Sequence, residues 1–266
     1  MPDIGFLRLD GVRSTHSHTS PSLLRVFTFN SPQTNGWLIQ WGIGGVLKQS
    51  GLTAKLYSVQ PLNGSFATFS RFVFDGMDFE LHEEDRYKGN NTTPKIKDHE
   101  LLEKALQEKG SVFFHSYAGH GGYLDLIDQN LSQAMSKPKI RFDGLFGGSF
   151  SETINSDLIR DTNDYDQAIS YIDRNVAHAI QNIKNRSKPA ALIYFSDHGE
   201  AVFAKRGHES SSYIDEMTTV PLVLYFNQAY QKKYPEVFSK YRQAIAAKHT
   251  RLLDQEQKSS NGTHGP

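Results

Sequence analysis

Hydrophobic residues along the chain fall into short runs that are separated by longer amphipathic and polar stretches. Apolar and polar residues alternate over Leu52–Val59, which is typical of a strand. Three further runs predict short buried strands, at Ser111–His115, Ala190–Phe195 and Val220–Phe226. Pro221 lies near the start of the last run, where a missing amide hydrogen is tolerated.

Helices are predicted between these strands from apolar residues spaced three and four apart. One amphipathic helix is expected over Gly36–Gly51. Another is expected over His99–Lys109, with Asp98 as its cap and Gly110 at its end. Phe79–Lys97 is charged and polar and predicts a surface loop. A longer helix precedes the third strand, and its apolar stripe consists of Tyr165, Ile169, Ile172, Val176, Ile180 and Ile183.

Strands that alternate with helices predict an α/β fold, with a mainly parallel β-sheet flanked by helices on both faces. The 266 residues are enough for one large α/β domain. We expect this domain to occupy residues 1–254. Gln255–Pro266 is polar and predicts a disordered tail.

Composition narrows the possible partners and chemistry. The 29 basic residues balance 29 acidic ones, so no excess charge favours nucleic acid or an anionic membrane. Cysteine is absent, which excludes disulfides, thiolate metal sites and a cysteine nucleophile. No apolar run reaches the length of about 18 residues needed for a membrane span, and the first residues lack a signal-peptide pattern. We therefore expect a cytoplasmic chain or a piece of a longer one.

The most informative segment is Ala191–Glu200, in which an apolar run stops at Asp197-His198-Gly199-Glu200. This pattern predicts a buried strand that brings Asp197 and His198 to its carboxyl end, with a glycine for the following turn. Ligands of α/β sheets bind at the carboxyl ends of strands. Because aspartate and histidine can both bind Zn²⁺, the segment predicts a zinc site.

Three other clusters carry candidate chemistry, and each also has a purely structural interpretation. Ser14–Ser22 is rich in hydroxyls and imidazoles, and its Pro21 suits the first turn of a helix. The segment therefore predicts either an anion-binding helix N-terminus or an ordinary helix cap. The run Ser111–His115 leads into a glycine-rich loop, and His115 and His120 lie five residues apart there. The loop is either part of a ligand-binding site, where glycines let the backbone approach a ligand, or a simple turn at the end of a strand. His208 is either part of the site or a solvated loop residue.

The order of these clusters resembles the alkaline phosphatase/sulfatase superfamily, and within it the phosphoethanolamine transferases that modify bacterial lipopolysaccharide. Ser196-Asp197-His198-Gly199-Glu200 reproduces a motif of that family. His115–Gly121 resembles the family's His-x-x-Gly-x-His-Gly loop, with the glycine shifted by one position. Val220-Pro221-Leu222 is similar to the strand after the site. The resemblance extends from about Gly11 to about Phe226, and it implies an alkaline phosphatase/sulfatase-like fold.

Two patterns of this superfamily select Thr19 as the nucleophile. As in the transferases, Thr19 is followed by Ser22 and then by Phe27-Thr28. Thr19-Ser20-Pro21-Ser22 also has the spacing of the sulfatase motif, although Leu23 replaces its arginine. A threonine cannot become formylglycine, so a true sulfatase is not expected. Both patterns favour Thr19 over the neighbouring hydroxyls of Ser14, Thr15 and Ser17.

The resemblance assigns roles to five residues. Thr19, Asp197 and His198 are expected to bind Zn²⁺, with Thr19 as the nucleophile. His120 and His208 are expected to contact the phosphoryl group or a second metal. The implied reaction moves phosphoethanolamine from phosphatidylethanolamine to lipid A or a core sugar of lipopolysaccharide, through a phospho-threonine intermediate. The implied location is the periplasmic face of the inner membrane.

The chain also departs from this family at its start. The family's first zinc ligand is a glutamate in a Gly-Glu-Ser segment on an earlier strand, whereas the eighteen residues before Thr19 contain no glutamate. The membrane-spanning portion is also missing. The sequence therefore predicts a catalytic domain without its first strand. Two alternatives follow: an inactive truncated remnant, or a hydrolase or phosphoglycerol transferase of the same superfamily.

Overall fold

A computed structural model of the protein describes residues 5–28, 42–60, 73–79, 96–133, 156–202 and 207–261, the side chains of 156–159 and 249–261 excepted. The strands of these residues are β1 Phe6–Arg13, β2 Ala54–Ser58, β3 Asp78–Phe79, β4 Ser111–His115, β5 Ala191–Phe195 and β6 Thr219–Phe226. The helices are α1 Thr19–Phe27, α2 Ile43–Gln49, α3 Asp98–Leu106, α4 Gln129–Gln133, α5 Ser156–Lys184, α6 Gln228–Lys233 and α7 Pro235–Asn261. No helix in this part of the chain is long and apolar enough to cross a membrane.

The strands form two three-stranded sheets, with the orders β3-β2-β4 and β1-β6-β5. The predicted α/β class with flanking helices is confirmed. Parallel pairing, which was predicted for most strands, holds in the first sheet, whereas β6 is antiparallel to both of its neighbours. Parallel neighbours need a long crossover, usually a helix. The described part of the β5–β6 connection contains only short 3₁₀ turns, at Ser210–Ser212 and Asp215–Met217.

Strand β1 was not predicted from the sequence. Its apolar residues are interrupted by Asp10-Gly11, a pair that usually indicates a turn. In the structure this pair forms a bulge between Leu9 and Val12, where the pairing with β6 shifts. Gly11 adopts a φ of 63°, a conformation that glycine tolerates without a Cβ penalty. The strand therefore continues through what looks like a turn signal.

The predicted helix at His99–Lys109 exists, but its cap was assigned wrongly. The helix begins at Asp98, and the Lys97 amide donates a hydrogen bond to Glu100 at 2.8 Å. Asp98 is instead buried, at 1% exposure, and binds the loop after β4. Its carboxylate accepts hydrogen bonds from the amides of Tyr117 and Ala118 and from the Ser116 hydroxyl. Asp98 thus anchors the loop that carries His120.

The other helix predictions are confirmed only in part. Helix α2 covers the end of the range predicted over Gly36–Gly51, and residues 36–41 lie outside the described residues. Residues 80–95 of the predicted surface loop also lie outside them. Helix α5 is long as predicted, but Ile169 is 41% exposed, because the helix buries a neighbouring face that includes Ala168, Tyr171 and Ala179. Helix α7 continues to Asn261, so residues 255–261 are helical where a disordered tail was predicted.

Helix α1 packs across both sheets, and this packing places its N-terminus. Leu23 and Leu24 are buried in the core with Leu56 of β2. The Phe27 ring lies 5.5 Å from the ring of Phe113 on β4 and 6.0 Å from that of Phe195 on β5, measured between centroids. Burial of these apolar side chains therefore fixes the helix against the two strands that end at the candidate site.

Asn227 connects the end of α5 with the starts of β5 and α6, and its side chain is fully buried. The side-chain amide donates to the carbonyls of Ile183, Arg186 and Lys188, and its oxygen accepts from the amides of Ala190 and Tyr230. This one side chain thus satisfies five buried or partly buried backbone groups.

Replacing Asn227 with aspartate is expected to lower the free energy of unfolding by about 3–5 kcal/mol. The carboxylate has the same shape, but it lacks the N–H donors and faces three carbonyl oxygens. Urea unfolding monitored by circular dichroism measures the loss. Asn185→Asp is the matched control, since Asn185 is exposed and uses its side-chain oxygen as an acceptor for Gln181. Equal midpoints for the two variants would contradict the prediction.

Candidate functional site

Thr19 is the first residue of α1, so its hydroxyl lies at a helix N-terminus, as the sequence predicts. His18 precedes the helix in an extended conformation, and the Ser22 amide donates to its carbonyl at 3.2 Å. The Ser22 hydroxyl donates to the His16 carbonyl at 2.9 Å and ties the approaching segment to the first turn. The positive end of the helix dipole favours an anion near Thr19.

Asp197 and His198 follow β5 in a tight turn. The Gly199 amide donates to the Met217 carbonyl at 2.8 Å and holds this turn against the segment before β6. The Nδ1 atom of His198 lies 2.8 Å from the Gly199 carbonyl, which can only accept a hydrogen bond. Nδ1 therefore carries the hydrogen, and Nε2 presents its lone pair. An imidazole fixed in this way is suited to bind a metal.

The structure brings Thr19, Asp197 and His198 together. His198 Nε2 lies 3.3 Å from Thr19 Oγ1 and 3.7 Å from Asp197 Oδ2. Ligands of a tetrahedral zinc ion, at bond lengths of about 2.0 Å, are separated by roughly 3.3 Å. Asp197 Oδ2 is also buried without a hydrogen-bond partner. A buried carboxylate oxygen needs compensation, and a cation beside Thr19 and His198 would supply it. These residues therefore fit a zinc ion.

The two histidines assigned to phosphoryl contact lie at the same place. The His208 ring is 4.5 Å from the His198 ring and 5.6 Å from the His120 ring, between centroids. His18 also joins this cluster, with its ring 5.3 Å from that of His208. His115, in contrast, lies at the end of β4 against Ser58 and Phe74. His18, His120, His198 and His208 therefore lie together at the site, whereas His115 packs on the sheet.

Glu200 is a site residue to which the sequence analysis assigned no role. Its side chain is only 9% exposed, and its Oε2 atom accepts a hydrogen bond from His208 Nδ1 at 2.9 Å. Its Oε1 atom accepts a 3.3 Å hydrogen bond from the Tyr123 hydroxyl. Ligand atoms of His198, Glu200 and His208 all lie within 4.8 Å of one another, so this group could also hold a metal. Its place in the Asp-His-Gly-Glu motif was the available signal.

The imidazoles of the cluster differ in their protonation preferences. The hydrogen bond from His208 to Glu200 raises the pKa of His208 above its usual range. Burial lowers the pKa of His120 and of His18, and the neighbouring His208 lowers both further. Burial, followed by the charge of Glu200, raises the pKa of Tyr123, so its phenol remains a hydrogen-bond donor. The cluster thus brings together imidazoles whose pKa values are shifted in opposite directions.

A cavity of about 530 Å³ adjoins this cluster on the side of Tyr123 and Gly207. Three carboxylates line it, from Asp125, Asp161 and Asp164. Asp161 is paired with Arg160 at 3.2 Å. Burial raises the pKa of Asp164. The described lining of the cavity is therefore acidic, and Arg160 offsets the charge of one of its three aspartates.

The α/β fold and the grouping of Thr19 with Asp197 and His198 are those expected of the alkaline phosphatase superfamily. Within it, the chain belongs to the sulfatase family, whose sequence model matches residues 5–252. The family and fold predicted from the motifs are thereby confirmed.

Named relatives of the chain are phosphoethanolamine transferases. Escherichia coli K12 phosphoethanolamine transferase EptC is 33% identical over 125 residues, which cover 43% of this chain and 22% of the relative. Helicobacter pylori phosphoethanolamine transferase EptA is 33% identical over 140 residues, 51% of this chain and 25% of the relative. The matched segment therefore spans about a quarter or less of these proteins.

A solved structure shares the fold. The C-terminal periplasmic domain of Escherichia coli EptC, crystallised in complex with zinc, superimposes with a TM-score of 0.67. The identity is 21%, and the match covers 88% of this chain and 66% of that domain.

Proposed function

We propose that the chain belongs to the catalytic domain of a zinc-dependent transferase. This enzyme moves phosphoethanolamine from phosphatidylethanolamine to lipid A or to a core sugar of lipopolysaccharide. The observation that carries this proposal is the position of Thr19 Oγ1, 3.3 Å from His198 Nε2 at the N-terminus of α1. The buried, unpartnered Asp197 Oδ2 beside it supports a cation there. The names of the EptC and EptA relatives support the donor group.

The proposed mechanism uses Thr19 as the nucleophile. Thr19, Asp197 and His198 would hold the zinc ion, which when bound would lower the pKa of the threonine hydroxyl and offset negative charge on the phosphoryl oxygens. Thr19 Oγ1 attacks the donor phosphorus, the bond from phosphorus to the diacylglycerol oxygen breaks, and a phospho-threonine ester forms while the Thr19 proton passes to the departing diacylglycerol oxygen. An acceptor hydroxyl then attacks this ester and releases Thr19. His120 donates a hydrogen bond to the phosphoryl oxygens, whose charge increases during each attack. His208 takes the proton of the attacking acceptor hydroxyl on its Nε2 lone pair and returns it to Thr19.

The acidic cavity favours ethanolamine over glycerol as the transferred head group. Ethanolamine carries an ammonium at neutral pH, whereas glycerol is uncharged. Asp125 and Asp164 line the space beside the Thr19 cluster, where they attract the ammonium. The periplasmic origin of the related Escherichia coli domain supports a site at the periplasmic face of the inner membrane.

A transfer assay with two donors tests this proposal. The zinc-loaded protein is incubated with lipopolysaccharide and vesicles of phosphatidylethanolamine or phosphatidylglycerol, and products are identified by mass spectrometry. The expected result is phosphoethanolamine on lipid A or core sugar from the first donor only. Transfer of phosphoglycerol, or diester hydrolysis without transfer, would assign the alternatives within the superfamily. Zinc binding without turnover of either donor would indicate an inactive remnant.

A further inference from the structure

The segment after the Asp-His pair turns back on itself and brings two side chains face to face. Ala201 and Gly207 form an isolated antiparallel bridge, in which the Ala201 amide donates to the Gly207 carbonyl at 2.7 Å. Glu200 and His208 are the next residues outward from this bridge and lie opposite each other. Gly207 has a φ of 55°, and a Cβ there would lie 3.1 Å from Glu200 Oε1. The backbone is therefore closely fitted around the Glu200 carboxylate.

We propose that Glu200 is a positioning residue, which holds the His208 imidazole so that Nε2 faces the phosphoryl group. The Tyr123 hydroxyl in turn fixes the orientation of the Glu200 carboxylate. Glu200 can only accept hydrogen bonds when ionised, so the 2.9 Å contact places the hydrogen of His208 on Nδ1. The hydrogen bond at one ring nitrogen determines what the other presents. The Tyr123 hydroxyl occupies the second carboxylate oxygen, which limits rotation of the carboxylate.

Two features distinguish this role from metal binding by Glu200. Both oxygens of the carboxylate already have hydrogen-bond partners, in His208 and Tyr123. Asp197 Oδ2, in contrast, is buried and has none. The cation is therefore expected at Asp197, and Glu200 acts on His208 alone.

The test compares Glu200→Ala, Glu200→Gln and Tyr123→Phe with Glu216→Ala, a control at an exposed glutamate of the segment before β6. The nitrogen chemical shifts of His208 report which ring nitrogen carries the hydrogen, and this measurement requires no activity. We expect Glu200→Ala to shift the hydrogen from Nδ1 towards Nε2. Glu200→Gln keeps an oxygen acceptor and should restore much of the original signal. Tyr123→Phe should cause a smaller change, and Glu216→Ala none.

The activity measurement rests on the proposed transfer function. We expect Glu200→Ala to lower kcat by about 10–100-fold, with KM within about twofold and full zinc content, and Glu200→Gln to recover part of the rate. Unchanged His208 shifts in Glu200→Ala would overturn the inference, as would loss of zinc from Glu200→Gln. A parent protein without transfer activity would contradict the proposed function instead, and the nitrogen shifts would still decide the role of Glu200.

Discussion

Replacing Thr19 with alanine is expected to lower the rate of phosphoethanolamine transfer by at least about 10³-fold and to prevent covalent labelling of the protein by the donor. The physical reason is that the Thr19 hydroxyl lies beside the proposed zinc ligand His198, where the hydroxyls of Ser17 and Ser14 do not. Thr19 Oγ1 lies 3.3 Å from His198 Nε2, whereas the Ser17 and Ser14 hydroxyls are engaged with His18 and with the His16 carbonyl. Initial rates and mass spectrometry of the peptide that contains residue 19 measure the two effects.

Thr15→Ala is the matched control for this prediction. It is the same substitution four residues earlier, at an exposed position before α1. We expect it to retain the parent rate and the labelled peptide. Thr19→Ala should also bind zinc more weakly, because it loses one of three proposed ligands, while its melting temperature stays close to that of the parent. Transfer at the parent rate by Thr19→Ala would contradict both the nucleophile and the mechanism built on it.

The parts of the fold that could be predicted are those in which a local run of residues determines the element. Ser111–His115 and Ala190–Phe195 were predicted as buried strands, and strands form at Ser111–His115 and Ala191–Phe195 because β-branched and aromatic residues favour extended backbone. Their burial was predicted wrongly, since neither strand contains a fully buried residue and Ile193 is 63% exposed. Strand β1 was missed because an Asp-Gly pair usually indicates a turn, whereas Asp10-Gly11 forms a bulge within the strand. Asp98 was misassigned because its partners, Tyr117 and Ala118, come from a distant loop.

The same distinction applies to the site. Asp197 and His198 could be named in advance because they lie at the end of a predictable strand. Thr19 could be named because its neighbours match two patterns of the superfamily that the chain resembles. The structure places them together, and their shared zinc ion stays a prediction. Glu200 could not be assigned a role, because its contact with His208 depends on a bridge between Ala201 and Gly207 that no local pattern indicates. Contacts made across a turn are properties of the folded backbone.

Replacing Gly199 with alanine, which adds a single methyl group, is expected to displace the site residues Asp197 and His198. A Cβ atom at Gly199 would lie 2.0 Å from the Glu216 carbonyl oxygen and 2.9 Å from that of Thr219. Both obstacles are backbone atoms, so no side-chain rotation relieves the overlap. The Gly199→Ala protein must move the turn away from the segment before β6 and break the 2.8 Å hydrogen bond to Met217. Asp197 and His198 then lose their position relative to Thr19.

We therefore expect Gly199→Ala to lower the free energy of unfolding by about 1–3 kcal/mol and zinc affinity by at least about tenfold, with a larger loss of transfer. Urea unfolding and competition with a zinc-binding dye measure the first two. Gly121→Ala is the matched control in the His120 loop, since a Cβ there meets no atom of the described residues within 4 Å. If both variants bound zinc equally well, the site would tolerate displacement of the β5 turn, and rigid placement of Asp197 and His198 would not be required.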